Sequence, residues 1–599
     1  MSMTSPFMTR LTTLRGLLKC ENLDGIIIPH SDEYQSEYPP EHTRRLAWLT
    51  GFTGSAGTAI VLNDQAAIFS DGRYTAQLQQ QVDLSCWHCL HSLNTPPATW
   101  LAHTAPKNSR IGYDPRLTSS ADLTPYKAIS TITLVPTPYN LIDKLWTPRP
   151  KLSLTPAFIH PIEYAGESSE NKRKRLAQAL IHKGLEATII SDSTSIAWLL
   201  NIRGNDIPCT PVILAFAILY ADASVDLFIP KEKISPPVRL WLGENIRIFP
   251  PETLEKRFAS LSHKTIGVDP KSNAVWFCQT LTHYGAHVVE LPDPCLHAKA
   301  RKNLTEQEGM RIAHLYDGIA LCRFLHWLET QHYHTTEIAA TEQLKAFRAE
   351  QKDYVEDSFP AISGSGPNGA IIHYHATPDH YRHLEQNEIY LIDSGGQYRQ
   401  GTTDVTRTLW TGGKTPSDSL KNVFTRVLKG NLTLARARFP VGTSGSALDV
   451  LARCALWEIG LDYDHGTGHG VGSFLSVHEG PARLSKTPHT AILEEGMVLS
   501  NEPGFYKPGA YGIRLETLML VKPASDTALS QDSHHQFLEF ETLTLVPFDK
   551  KLINPSLLGL ENLYALNTYH ERILTFIAPY LPTDTKKWLQ EACAPLTLT

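Results

Sequence analysis

The stretch Leu391-Ile392-Asp393-Ser394-Gly395-Gly396-Gln397-Tyr398-Arg399-Gln400-Gly401-Thr402-Thr403-Asp404-Val405-Thr406-Arg407-Thr408 reads as a β-hairpin that carries two aspartates. Leu391 to Tyr398 is a strand running into a glycine turn and Gly401 to Thr408 its partner, an arrangement that aims Asp393 and Asp404 at one point. Two aspartates beside glycines are usually only turn chemistry. Here each lies against a strand, where a buried carboxylate without a counter-charge is costly, and a metal ion would supply that charge.

Three more candidate ligands follow downstream. His469 lies in His465-Gly466-Thr467-Gly468-His469-Gly470-Val471-Gly472, which is too rich in glycine for a stable helix and is expected to be a loop running close to a metal. Glu502 lies in Asn501-Glu502-Pro503-Gly504. Glu516 ends Gly512-Ile513-Arg514-Leu515-Glu516, a strand whose alternation puts Arg514 and Glu516 on one face, so that Arg514 orients or charge-balances a metal-bound carboxylate. Four carboxylates and one imidazole form an oxygen-rich donor set suited to hard or borderline divalent ions rather than to a thiolate zinc site. Their charge of about −4, with histidine neutral, balances two divalent cations and leaves a bound hydroxide as the excess, the pattern of a two-metal hydrolase.

Gly364-Ser365-Gly366-Pro367-Asn368-Gly369 matches G-x-G-x-x-G, but a dinucleotide fingerprint needs a helix after it. Ala370-Ile371-Ile372-His373-Tyr374 reads instead as a strand, and the glycines are assigned to a turn that delivers His373 to the cleft.

Around this catalytic half, the 599 residues imply two to four domains. A weak repeat organises the first half. Leu23 to Ile28 followed by Leu46 to Gly51 is echoed by Leu185 to Ile190 and then Ile196 to Asn201, as two similar α/β domains in tandem would produce. Ala66 to Phe69 and Asp226 to Ile229 read as buried strands, and Gln77 to Gln81 and Glu170 to His182 as helices. The proline-bearing stretch from Val135 to Pro161 is the expected linker, and Pro292-Asp293-Pro294 marks a second boundary. Past it, Thr305 with Glu308 forms a capping box for a helix that buries Met310, Ala313, Ala320, Phe324 and Leu328.

With 55 basic and 61 acidic residues and a formal charge of −6, the chain has no electrostatic footprint for nucleic acid. Its first 18 residues hold no signal-type apolar run, and its longest apolar stretch, Val212 to Tyr220, is about half of what a membrane span needs. The nine scattered cysteines do not suggest a disulfide framework, and Cys86 and Cys89 read as a structural pair rather than a redox or zinc site. A cytoplasmic protein without membrane association is expected.

Read together, these segments closely resemble the Xaa-Pro aminopeptidases (aminopeptidase P) of the pita-bread metallopeptidase superfamily, in their long three-domain cytosolic form. The resemblance is carried by Gly366 to Tyr374, Asp393 to Tyr398, Gly401 to Thr408, His465 to Gly472, His478-Glu479-Gly480-Pro481, Glu502-Pro503-Gly504 and Gly512 to Glu516, with Ser70-Asp71-Gly72-Arg73-Tyr74 in the first domain. It implies an α/β (α+β) chain of two similar creatinase-like amino-terminal α/β domains, residues 1–146 and 147–303, followed by a pita-bread catalytic domain with a C-terminal extension, residues 304–599. It further implies that Asp393 binds one metal, His469 and Glu502 bind the other, and Asp404 and Glu516 bridge both. Two Mn²⁺ ions are expected, with Co²⁺ or Zn²⁺ as alternatives. His373, His465 and His478 would line the cleft and hold the substrate, His373 and His478 would stabilise the oxyanion, Glu502 would carry the proton, and Arg514 would support the set.

The activity implied is release of the first residue from a peptide with proline in second position, through a hydroxide shared by two metals, by a homodimer. Two other readings stay open: an Xaa-Pro dipeptidase (prolidase), which uses the same ligands, and a pita-bread binding module without catalysis.

Overall fold

The repeat in the first half corresponds strand for strand to two sheets in the computed structural model, which describes residues 5–525 and 536–598. Residues 1–4 and 599, at the outer limits of the expected first and third domains, lie outside the described residues. The first sheet runs His88–His91, Ala66–Ser70, Thr58–Leu62, Gly25–Pro29, Ser109–Tyr113, Ile132–Pro136. The second runs Ile246–Phe249, Val225–Phe228, Phe216–Tyr220, Ala187–Ile190, Thr265–Val268, His287–Glu290. Each pairs its first two strands in parallel, the next two steps antiparallel and the last two parallel.

The apolar runs of the repeat, Ile26 to Ile28 and Ala187 to Ile190, are the inner strands of these sheets and are buried throughout, as strands covered on both faces must be. The second halves of the repeat are the helices Arg45–Thr50 and Ser193–Leu200. They stop on Gly51 and Asn201, both in the left-handed conformation that ends helices.

The chain divides into two compact units, Met1–His160 with Glu167–Leu296, and Pro161–Gly166 with His297–Thr599. The first contains both of these sheets. The second opens on the helix Leu304–Thr330, which buries the expected stripe of Met310, Ala313, Ala320, Phe324 and Leu328. Its capping box, however, is formed by Asn303 and Glu306, not by Thr305 and Glu308. Asn303 is the stronger cap, and its amide is also engaged by the Ala165 carbonyl at 2.9 Å, a tertiary anchor that sequence pattern does not show.

The aspartate hairpin is present but broken. Ile389–Ser394 pairs antiparallel with Val405–Trp410, placing Asp393 opposite Thr406, while Gly396–Tyr398 pairs separately with Gly401–Thr402. The expected continuous strand from Gly401 to Thr408 stops at Thr403-Asp404, where the Gly396 N–H donates to the Thr403 hydroxyl (2.9 Å). The break leaves Asp404 outside the ladder.

Two further local expectations are corrected. Gly366–Ala370 is a 3₁₀ turn, and Ile371 to Tyr374 is a tight turn closed by the Tyr374 N–H on the Ile371 carbonyl (3.0 Å), not a strand. Here Gly366 adopts φ +51°, and a Cβ on Gly512 would lie 1.7 Å from the Gly369 carbonyl oxygen, so the turn lies directly on the strand Tyr511–Arg514. His469, in turn, is in the short strand Gly468–Gly470, not in a loop. This strand runs between Glu479–Leu484 and Val498–Asn501 in a six-stranded antiparallel sheet completed by Thr517–Pro523, Phe537–Thr542 and Arg438–Pro440. Its glycines serve close approach: a Cβ would come within 2.0 Å of the Ser500 carbonyl oxygen at Gly468 and 2.2 Å of the Glu479 carbonyl oxygen at Gly470.

The same logic governs the helix pair Asp418–Ala435 and Gly445–Trp457, where a Cβ on Gly430 would lie 2.1 Å from the Ala452 carbonyl oxygen. Gly430→Ala therefore forces two backbones apart, and its overpacking cost of about 1–3 kcal/mol should outweigh the about 1 kcal/mol of helix propensity gained. Gly16→Ala, in an exposed helical position with nothing within 4 Å of the added carbon, is the control. Calorimetry should show a lower melting midpoint for the first variant and an unchanged or higher one for the second.

Candidate metal centre and active site

Five separate backbone segments of the second unit converge at the site. Asp393 is the penultimate residue of the strand Ile389–Ser394, Asp404 occupies the break in its partner, His469 sits mid-strand, Glu502 follows Val498–Asn501, and Glu516 joins Tyr511–Arg514 to Thr517–Pro523. Ligand atoms of Asp404, His469 and Glu516 all lie within 4.8 Å of one another. The His469 Nε2 is 3.5 Å from Asp404 Oδ2 and 3.6 Å from Glu502 Oε1. Arg514 Nη2 donates to Asp393 Oδ2 at 2.7 Å. The Thr406 hydroxyl donates to Glu516 Oε2 (2.8 Å) and accepts from Arg514 Nε (3.2 Å), tying the two ends of the set together. Asp393, Asp404 and Glu516 are buried, whereas His469 and Glu502 are half-buried and form the open side.

Hydrogen bonding fixes the tautomer of His469. Its Nδ1 is 2.9 Å from the Gly470 carbonyl oxygen and must carry the proton, which leaves the Nε2 lone pair facing the carboxylates of Asp404 and Glu502. A lone pair facing carboxylates requires a cation between them. Without a metal only a proton can serve: burial alone would lower the imidazole pKa, but Asp404 and Glu502 overcome it and raise it to about 9. Glu516 is raised well above the carboxylate range by burial, then by Asp404, Asp393 and Glu502. Asp393 is raised chiefly by burial, against the pull of Arg514, and Glu502 chiefly by burial, against that of His469. Asp393 Oδ1 is buried and has no hydrogen-bond partner among the described residues. Crowded carboxylates, an unused acceptor and an imidazole oriented from behind by a carbonyl are the donor chemistry of a divalent-metal site.

Of the three histidines expected beside this set, His478 meets a ligand ring and His465 reaches the set through Tyr506 and Arg514. The His478 ring meets the His469 ring edge-on, with centroids 4.3 Å apart and planes at 86°. His465 donates from Nδ1 to the Gly466 carbonyl (2.8 Å), so its Nε2 accepts from the Tyr506 hydroxyl (2.9 Å). His373 stands half-buried in the turn Ile371 to Tyr374, which follows the 3₁₀ turn whose Gly369 touches Gly512 on the strand of Arg514.

Comparison with known proteins bears on what this arrangement is for. Residues 308–523 match Metallopeptidase family M24 and 536–596 the C-terminal region of peptidase M24. Residues 10–145 and 148–306 each match the Creatinase/Prolidase N-terminal domain. A probable Xaa-Pro aminopeptidase P of Neurospora crassa is 40% identical, the alignment covering 99% of this chain and 90% of that protein. Aminopeptidase P1 of Lotus japonicus is 34% identical, over 98% and 99%. The chain belongs to the aminopeptidase P family. The crystal structure of X-prolyl aminopeptidase from Caenorhabditis elegans, described as a cytosolic enzyme with a di-nuclear active site, matches with a TM-score of 0.93 at 33% identity, over 99% of this chain and 100% of that one.

As a member of the aminopeptidase P family the chain is a peptidase, with two creatinase-type amino-terminal domains before an M24 catalytic domain. Among the described residues, no helix is long and apolar enough to cross a membrane.

Sequence reading missed the supports of this aminopeptidase P site. Tyr506 accepts from Arg514 Nη1 (2.7 Å) and thereby links Asp393 to His465. Its signal was available, since Gly504 to Lys507 is a hairpin arm opposite Tyr511–Arg514. On the helix Gly445–Trp457, the buried Arg453 donates to the carbonyls of Tyr463 (2.7 Å) and His465 (2.8 Å), and Asp449 accepts from the Thr467 hydroxyl (2.5 Å). The Thr467 carbonyl in turn holds the Glu502 N–H at 2.8 Å. No local pattern announces that helix as part of the site.

All four shifts act in one direction on stability. The carboxyls of Asp393, Glu502 and Glu516 and the His469 imidazole bind protons more tightly in the folded than in the unfolded chain. Their stabilisation is therefore present at low pH and lost as pH rises, for His469 between its ordinary 6.5 and about 9. Protein stripped of metal by a chelator should melt progressively lower from pH 6.5 to 9, and protein reloaded with divalent metal should lack this slope in calorimetry.

Proposed function

We propose that this chain is a metal-dependent aminopeptidase that releases the N-terminal residue from peptides with proline in second position. What supports the reading is the grouping of Asp404, His469 and Glu516, with Glu502 beside His469, Asp393 tied to Glu516 through Arg514 and Thr406, and the His469 Nε2 lone pair turned toward Asp404 and Glu502. Two divalent cations, Mn²⁺ by family resemblance, would be held by Asp393 on one side, by His469 and Glu502 on the other, and by Asp404 and Glu516 between them. When bound they supply an activated water and a Lewis acid for the scissile carbonyl.

The chain's own residues do the rest. Glu502, on the open side, accepts a proton from the attacking water at a carboxylate oxygen and delivers it to the leaving proline nitrogen, which carries no proton in the peptide and needs one as an amine. His373 and His478 donate ring N–H groups to the oxygen of the tetrahedral adduct. Arg514, clamped between Asp393 and Tyr506, keeps the Asp393 carboxylate oriented and offsets part of the site's negative charge. A prolyl peptide bond offers no N–H, so the ring is recognised by shape and apolar contact.

Two experiments test this. Cleavage of an Xaa-Pro-Yaa tripeptide with release of free Xaa is expected; hydrolysis confined to the Xaa-Pro dipeptide would make the chain a prolidase. By elemental analysis, Glu516→Ala should lose metal together with nearly all turnover. His465→Ala should keep its metal while turnover falls on the order of 10–100-fold; metal loss in that variant would contradict the assigned roles.

A further inference from the structure

The segment that bears His373 is an excursion of the chain between Ser365 and Arg382, and its organisation centres on one carboxylate outside the metal-ligand set. Glu337 is the first residue of the helix Glu337–Ala349 and is fully buried. Its Oε1 accepts from the Ser365 N–H (2.7 Å) and the Asn368 side-chain amide (3.0 Å). Its Oε2 accepts from the Arg382 N–H (2.7 Å), the Tyr374 hydroxyl (2.9 Å) and the same Asn368 amide (3.1 Å). The Glu337 N–H donates back to the Arg382 carbonyl at 3.0 Å. Arg382 also closes the neck of the excursion, donating from Nη1 to the Ser365 carbonyl (3.0 Å) and from Nη2 to Glu388 (3.2 Å). Glu337 thus holds both ends of the segment and, through Tyr374, its middle.

Tyr374 is next to His373 and is the residue whose N–H closes the turn on Ile371. A turn of four residues has little freedom once its last residue is pinned, so the backbone position from which the His373 side chain departs follows from where Tyr374 is held. A carboxylate inside a buried ring of donors is a stiff anchor, because every displacement uncovers a polar group away from water.

We propose that Glu337 is a positioning residue for the reaction, one that aims the His373 imidazole at the reacting carbonyl through Tyr374. The inference rests on the oxyanion role given to His373 above. Glutamine cannot replace the carboxylate. Whichever way its amide is turned, the NH₂ group faces a backbone N–H, that of Ser365 on one side or of Arg382 on the other.

A double-mutant cycle on the metal-loaded, full-length protein tests the proposal, with an Xaa-Pro-Yaa peptide as substrate and kcat, KM, metal content and melting midpoint followed together. Glu337→Gln should lower kcat by about 10–100-fold with KM little changed and metal content at the wild-type level. Tyr374→Phe, which removes one hydroxyl and little else, should shift kcat the same way by less. In a His373→Ala background, where kcat is expected to be down by about 10²–10³-fold, either substitution should cost at most about a further twofold. Losses that multiply in the double variants, or a Tyr374→Phe enzyme with wild-type kcat, would assign Glu337 a purely structural role and overturn the proposal. Should Glu337→Gln fail to fold, the Tyr374→Phe arm of the cycle decides. A His373→Ala enzyme with unimpaired kcat would instead remove the oxyanion role itself, and the inference with it.

Discussion

Like charges brought together away from water dominate the physics of this protein's catalytic unit. Asp393, Asp404 and Glu516 are buried, and Glu502 stands beside them. Asp404 raises the proton affinity of Asp393, Glu502 and Glu516, Asp393 adds to it at the two glutamates, and the guanidinium of Arg514 does not offset them all. Such a cluster is stable only if cations enter it or protons neutralise it. The local structure follows from preparing for that: a strand broken so that Asp404 leaves its ladder, a histidine whose proton is held on the far nitrogen, and a threonine hydroxyl shared between Arg514 and Glu516.

Holding five donors from distant segments in one place requires backbones that nearly touch. The glycines at 468, 470 and 512 occupy positions where a Cβ would meet a carbonyl oxygen at about covalent-neighbour distances, and none of the three takes a left-handed conformation. They are close-approach residues, unlike Gly51 or Gly366, which supply a turn. Buried ion pairs then fix what the glycines allow. Arg453 with Asp449 holds the His465 carbonyl and the Thr467 hydroxyl; Arg407, which is in no ion pair among the described residues, donates to the carbonyls of Thr406, Glu516, Val546 and Pro547, joining the ligand strands to the C-terminal segment. Removing one partner from such pairs costs far more than the pair contributes net, which makes them specifiers of geometry more than sources of stability.

The site is asymmetric in a way that suits peptide hydrolysis. Its acidic floor is buried, while His469, Glu502, His478 and His373 are half-buried. The groups assigned to proton transfer and oxyanion binding are therefore those a substrate can reach. Their orientation comes from behind: Gly470 sets His469, the chain Arg514, Tyr506, His465 runs along one wall, and Glu337 with Tyr374 braces the turn of His373. Preorganisation of this kind places the cost of ordering in folding rather than in the reaction.

Much of this was legible in the linear chain. The duplicated apolar runs gave two equivalent sheets, since strands buried on both faces must be continuously apolar, and the five metal-donor candidates stood out because carboxylates beside strand patterns are expensive without a purpose. Resemblance added the family and the roles. What pattern could not give was anything set by non-local contact. The Asn303 amide meets the Ala165 carbonyl, the Gly396 N–H meets the Thr403 hydroxyl at the break before Asp404, and the strand around His469 lies against Ser500 and Glu479. Glycine illustrates the limit: local sequence reports that a side chain is absent, but whether that absence serves a turn or a neighbouring backbone is decided only when the neighbour arrives. The sequence by itself determined which chemical groups this protein brings to its site, because donor type is a property of the residue; tertiary structure decided where each lone pair points, because direction is a property of the contacts around it.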